Sequence, residues 1–174
     1  DDKGYKRRYI QFKKDIENWQ WSSYLPVNET SDWTMTTRHK NERMQPQLIK
    51  VNITSYGAAM YITFKRADYQ YPPYRIENRT LATRFRFCQQ SINLWRVVEP
   101  LKSVAYGWDD PQREERHIIV NIVGQSETYK YDVDGSTSGS KLIKYQEHGA
   151  QFVLNVAVQM FGPTKVLIVS DFTI

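Results

Sequence analysis

The sequence is poor in the features that mark a secreted scaffold, a membrane span, a metal site or a phosphate cradle. It holds a single cysteine, Cys88, in 174 residues, so no intramolecular disulfide can form and a disulfide-stapled framework is excluded. No apolar run approaches the roughly 18 residues of a membrane-spanning helix, and the opening segment lacks the apolar stretch of a signal peptide. Both point to a soluble chain on the cytoplasmic side. The 3 histidines, His39, His117 and His148, stand far apart, with no Cys pair and no His-Glu-x-x-His spacing beside them, so no metal is expected. Gly135 and Gly139 fall in a Ser-rich stretch without the strand-to-helix setting that cradles phosphate. The adjacent carboxylates Asp109-Asp110 and Glu114-Glu115 would point to opposite faces of a strand, the wrong geometry for an acid and a base flanking one bond. These absences argue against an enzyme and against a cofactor.

What is abundant is bulky and aromatic. The chain is 40% hydrophobic, with 12 Tyr, 7 Phe and 5 Trp, enough apolar volume for one proper core and too much for a disordered chain. Its net charge of +5 permits attraction to nucleic acid or acidic headgroups. The excess is spread out, the densest cluster being Lys6-Arg7-Arg8 followed by Lys13-Lys14; a solvated surface is the plain explanation, and docking on an acidic membrane surface is the alternative. Arg84-Phe85-Arg86-Phe87 resembles a stacking platform for single strands. It is equally what an inward-apolar, outward-basic strand looks like, and the structural reading is preferred, with no nucleic-acid partner. Asn28-Glu29-Thr30, Asn52-Ile53-Thr54 and Asn78-Arg79-Thr80 match the glycosylation acceptor pattern, which matters only in a secreted chain.

From Leu48 onward apolar residues recur with period two, the signature of half-buried strands. Ile49, Val51 and Ile53 alternate with polar residues up to Ser55-Tyr56-Gly57, and Ala58, Met60, Ile62 and Phe64 resume the pattern as a hairpin. Further strands are predicted at Tyr74–Asn78, Phe85–Cys88, Leu94–Val98, Leu101–Tyr106, His117–Val123 and Glu127–Val133. Phe152–Met160 and Lys165–Ser170 flank a tight turn at Phe161-Gly162-Pro163-Thr164. Asp109-Asp110-Pro111 reads as a turn rather than a helix cap, since Gln112–Arg116 offers no apolar face. In the opening segment Tyr5, Tyr9, Phe12, Ile16 and Trp19 recur at helical spacing while Tyr9–Phe12 also fits a strand. Residues 135–140 have the composition of a flexible linker, in keeping with a natural loop tip and with a replaced loop alike. The fold class is all-β, an antiparallel two-sheet, sandwich-like repeat.

One short segment stands out, Tyr71-Pro72-Pro73-Tyr74-Arg75-Ile76-Glu77-Asn78. Prolines lack the backbone donor, so a sheet tolerates them at a strand's start, at a bulge or along an edge. The Tyr74–Asn78 strand is therefore expected to begin near a free edge, where an extended peptide can add. Asn78 carries two donors and an acceptor and can bond loop backbone as a peptide group would; its expected role is to organise the backbone.

The blocks Pro73-Tyr74-Arg75-Ile76-Glu77-Asn78-Arg79-Thr80, Tyr106-Gly107-Trp108-Asp109-Asp110-Pro111 and Gly162-Pro163-Thr164-Lys165-Val166-Leu167 resemble one repeat of the adaptor-binding region of the vacuolar protein sorting thirteen family. That region is also called the VAB or SHR-binding domain. The resemblance runs from about Trp19 to Val133 and continues through the last strands. It places 19–174 in one VAB-type repeat, the last of its array, and makes 1–18 the end of a preceding repeat or an N-terminal extension. It implies a parent that carries lipids between organelle membranes, with this region as the address reader at contact sites, peripheral and without insertion into the bilayer. It also implies partners of one kind, adaptor proteins bearing a proline-x-proline motif. Asn78 matches the asparagine of the family's block. Tyr71, Tyr74, Ile76 and Trp108 are the residues inferred to line or support the peptide groove.

Overall fold

A computed structural model describes residues 6–135 and 141–172. The linker-like stretch 136–140 lies outside the described residues. The chain divides into two compact units, Asp1–Asp68 with Gly107–Arg113, and Tyr69–Tyr106 with Glu114–Ile174. The described residues contain strands and turns and no helix, which answers the ambiguity at the start of the chain.

In the first unit β1 (Tyr9–Ile10) pairs with β2 (Leu25–Pro26), and β3 (Ser31–Thr37), β4 (Gln47–Tyr56) and β5 (Ala59–Arg66) form an antiparallel sheet in that order. The β4–β5 hairpin lies where the alternation predicted it, with Ile53 opposite Ile62 and Val51 opposite Phe64. Gly57 takes a φ of 60° at its tip, a left-handed conformation that costs glycine little. Leu25, Met35, Val51 and Ile53 make the core, flanked by Phe12, Val27, Trp33 and Ile62. Phe12 and Phe64 meet ring to ring at 4.7 Å.

A short strap, Gly107–Arg113, completes this unit. Trp108 bridges Met35 of β3 in parallel fashion. The Thr36 amide donates to the Trp108 carbonyl at 3.0 Å, and the Thr36 hydroxyl to that of Gly107. A β-carbon on residue 107 would stand 2.8 Å from the Thr34 carbonyl oxygen, so only glycine permits so close an approach of two backbones. Asp109 then receives both arms of Arg38, Nε at 2.7 Å and Nη2 at 3.1 Å. Asp110 accepts from the Gln112 amide and pairs with Arg113 at 3.3 Å, tying the predicted turn. The second motif block is thus a clamp on β3.

The second unit is a sandwich of two sheets. One contains β6 (Tyr74–Arg79), β9 (Ser103–Tyr106), β12 (Lys141–Glu147), β13 (Ala150–Phe161) and β14 (Thr164–Asp171), in the order β12-β13-β14-β6-β9. The other contains β7 (Phe85–Gln89), β8 (Arg96–Val98), β10 (Ile118–Ile122) and β11 (Thr128–Tyr131), in the order β11-β10-β7-β8. Inward residues of both sheets are fully buried, among them Phe85, Phe87, Ile118, Val120, Ile76, Leu154 and Leu167. Phe87 and Tyr106 meet edge to face across the layers, 5.2 Å between ring centres, and the Thr83 and Tyr145 hydroxyls lie 2.8 Å apart. Pairing is antiparallel throughout except at β6 and β14, which run parallel, Ile76 opposite Leu167.

That parallel pair corrects one expectation. β6 is no edge strand: β14 flanks it on one side and β9 on the other, and the outer strands of its sheet are β12 and β9. The two prolines precede the strand, where a missing donor breaks no ladder. Their carbonyls are used instead, Pro72 accepting from the Thr164 hydroxyl at 2.7 Å and Pro73 from the Lys165 amide at 3.0 Å. The first and third motif blocks are therefore two halves of one junction.

Candidate functional site

Along β6 the side chains alternate. Tyr74, Ile76 and Asn78 face one way and Arg75, Glu77 and Arg79 the other. On the inner face Ile76 and Asn78 are buried, each 1% exposed. The Asn78 amide donates to the Thr83 carbonyl at 2.8 Å and to that of Val98 at 3.0 Å. Its oxygen accepts from the Thr80 amide at 3.0 Å and lies 2.7 Å from the Thr80 hydroxyl. That hydroxyl is also 2.9 Å from the Thr83 carbonyl, so one proton serves two acceptors. One side chain thus fastens the turn after β6 to Thr83, just before β7, and to the end of β8. With its amide fully engaged, Asn78 is also unfit to carry a glycan.

Tyr74 extends the same logic to the loop after β11. Its hydroxyl donates to Asp134 Oδ1 at 2.6 Å, and Lys165 of β14 donates to the same oxygen at 2.8 Å. Arg116 stands 3.6 Å from Oδ2. Burial pushes the Asp134 carboxyl up, but the hydrogen bonds from Lys165 and Tyr74 and the charges of Lys165 and Arg116 outweigh it and hold the group below the usual carboxylate range.

The outer face of the β6–β14 pair carries a surface groove of about 390 Å³. Arg75, Glu77 and Arg79 of β6, Thr164 and Val166 of β14, Phe161 at the end of β13, Gly162 of the turn that follows, and Gln70 with Tyr71 line it. Tyr71 and Phe161 present 55% and 48% of their surface to solvent. Arg79 is held by both oxygens of Glu77, at 2.8 and 3.3 Å, and stands 6.0 Å from the centre of the Phe161 ring. The result is a shallow trough of two aromatic walls and a polar floor, on a rigid double strand.

The model of the family described as "Vacuolar-sorting associated protein 13, adaptor binding domain" matches residues 2–115. The chain belongs to this family. Among similar proteins is "Intermembrane lipid transfer protein vps13A" of Dictyostelium discoideum, 25% identical over 164 residues, covering 94% of this chain and 5% of that protein. "Intermembrane lipid transfer protein vps13E" of the same organism is 26% identical over 179 residues, covering 94% of the chain and 4% of the relative. "Intermembrane lipid transfer protein VPS13D" of Homo sapiens is 30% identical over 100 residues, 56% of the chain and 2% of that protein. The chain thus spans a small fraction of the relatives it matches. It is an adaptor-binding domain with an all-β fold.

Of the five residues singled out in the sequence of this adaptor-binding domain, Tyr71 alone lines the groove. Tyr74, Ile76 and Asn78 lie on the opposite face of the same strand, and Trp108, 2% exposed, belongs to the strap of the first unit. Sequence reasoning missed Arg75, Glu77, Arg79 and Phe161. The signal was present, because once Ile76 and Asn78 are placed inward the period of two turns Arg75, Glu77 and Arg79 outward. It also missed a second buried amide, Asn121, which interrupts the apolar run of β10. Its nitrogen donates to the carbonyls of Gln125 and Glu127 at 2.9 and 2.8 Å, and its oxygen accepts from Arg86 at 2.8 Å.

The chemistry set aside earlier has a structural account. Phe85 and Phe87 are buried, Arg84 pairs with Glu99 and Arg86 stacks on Trp95 at 4.7 Å, so this strand is a core element rather than a stacking platform. Cys88 is buried in β7. Among the described residues no group of three or more His, Cys, Asp or Glu side chains is placed to hold a metal ion, and no helix is long and apolar enough to cross a membrane.

Proposed function

We propose that this domain receives proline-x-proline segments of organelle-specific adaptor proteins in the groove on the outer face of β6 and β14. By doing so it addresses a lipid-carrying parent to membrane contact sites, where the parent sits peripherally. The observation that carries this reading is the trough itself: two exposed aromatic rings, Tyr71 and Phe161, on a double strand whose inner face is locked by Asn78. Both sides of β6 are paired, so the guest does not add to it as a further strand. It lies across the face instead, as a polyproline II segment lies on an aromatic-lined surface, losing little conformational entropy when it binds. Tyr71 contacts the guest. Tyr74, Ile76 and Asn78 support the floor from behind, and Trp108 holds the strap that carries its motif block.

Fluorescence anisotropy with a labelled peptide containing Pro-Ala-Pro tests this. Tyr71→Ala and Phe161→Ala, both on exposed rings, should each weaken binding about tenfold or more, the range of aromatic anchors at interfaces, with melting unchanged. Undiminished affinity in the double variant would refute the groove as the site.

A further inference from the structure

The groove carries one charge that the chain does not answer. Its charged lining residues are Arg75, Glu77 and Arg79, two positive against one negative. Glu77 is engaged through both oxygens with Arg79. Arg75 is held by neutral acceptors, Nη1 to the Ser103 hydroxyl and Nη2 to the Tyr69 carbonyl, each at 3.3 Å. Among the described residues no carboxylate lies within ion-pair distance of it. On the opposite face, Lys165 of the neighbouring strand and Asp134 pair with each other. The other lining positions of β14 and its turn, Thr164, Val166, Gly162 and Phe161, are uncharged.

A guanidinium has five N–H donors. Two are spent on orienting the Arg75 group, which leaves donors for a guest in the groove that Arg75 lines. A carboxylate is the partner that accepts two parallel N–H bonds from such a fork. We propose that Arg75 is a specificity-determining residue that pairs with a carboxylate of the guest, so that the partners of this groove carry an aspartate or glutamate beside the proline core. This rests on the peptide-binding reading above and narrows it to acidic proline-containing segments.

The test uses three labelled peptides that differ only in the residues flanking Pro-Ala-Pro, glutamate, glutamine or lysine on both sides. Each is titrated against wild type, Arg75→Gln and Arg75→Glu at low and high salt. The wild type should prefer glutamate to glutamine by roughly five- to tenfold and lysine least, with the preference shrinking in high salt. Arg75→Gln should flatten the series and Arg75→Glu invert it, each read as the ratio between peptides on the same protein. Equal binding of the three peptides to wild type, with Tyr71 and Phe161 still required, overturns charge selection and leaves the groove reading intact. A preference for glutamate that survives Arg75→Gln overturns the assignment to this residue. If none of the peptides binds, both readings fall.

Discussion

Asn78→Ser is the sharpest perturbation of this fold. Serine is too short to reach both the Thr83 and Val98 carbonyls, and its hydroxyl accepts from the Thr80 amide only in the weaker serine turn. Thr83 keeps the Thr80 hydroxyl, so the group left unpaired is the Val98 carbonyl, while the Thr80 amide is held more weakly. A buried polar group left unsatisfied costs roughly 1–3 kcal/mol, with water entering the vacated volume recovering part. For a chain of this length each kcal/mol lowers the melting temperature by roughly 2–4 °C. Urea unfolding should show a lower midpoint at unchanged slope, and hydrogen exchange should show reduced protection in the loops that Asn78 joins. Binding of the Pro-Ala-Pro peptide should weaken in the same variant, because the floor of the groove is the other face of this strand. Asn78→Asp sharpens the test, since it keeps the shape and removes both donors while aiming a carboxylate at two carbonyls. It should be worse than serine at neutral pH and recover as pH falls and the acid is protonated. A loss below about 1 kcal/mol in Asn78→Ser, with Asn78→Asp no worse at neutral pH, would refute the view that this amide holds the loops.

Three further outcomes follow from the geometry. Gly107→Ala should destabilise by about 1–3 kcal/mol, as overpacking does, because its β-carbon meets backbone rather than a side chain that can turn away; denaturant unfolding followed by tryptophan fluorescence measures it. Arg38→Ala leaves Asp109 nearly buried without its fork and should cost about 2–4 kcal/mol, toward the range for breaking a buried pair, whereas Arg38→Ala with Asp109→Ala should recover part in a double-mutant cycle. Asp134 has its folded carboxyl held below the ordinary value of 3.8, so its contribution is present above that value and is lost as pH falls through the lower, folded one. Asp134→Asn should flatten that acid limb of the stability curve, and a limb unchanged by the substitution would refute the assignment.

The local chemistry was legible wherever a strand has one dry and one wet face. Alternation located the β4–β5 and β13–β14 hairpins, and Gly57 and Gly162 marked their tips, because a period of two and a left-handed turn residue are properties of short segments. β3 escaped, since Ser31–Thr37 is built of Thr and Asp around Trp33 and Met35, a face too weakly apolar to announce a strand. β12 escaped with only Ile143 and Tyr145 buried along it. Asn78 was recognisable as a residue whose amide could mimic a peptide group.

Which strands become neighbours is a different kind of information. The double proline suggested a free margin at β6, and the sequence alone offered no sign that the closing strand returns in parallel to cover it; a pairing between segments so far apart is settled by how the whole set of dry faces can be buried together. Likewise, residue types and their spacing announced the organising amide of Asn78, the turn at Asp109-Asp110-Pro111 and the all-β class. Only the tertiary structure decided that Arg75 rather than Ile76 faces the groove, and that Phe161 and Tyr71 line the same one. Alternation says that neighbours point apart, and only packing says which of the two directions is inside.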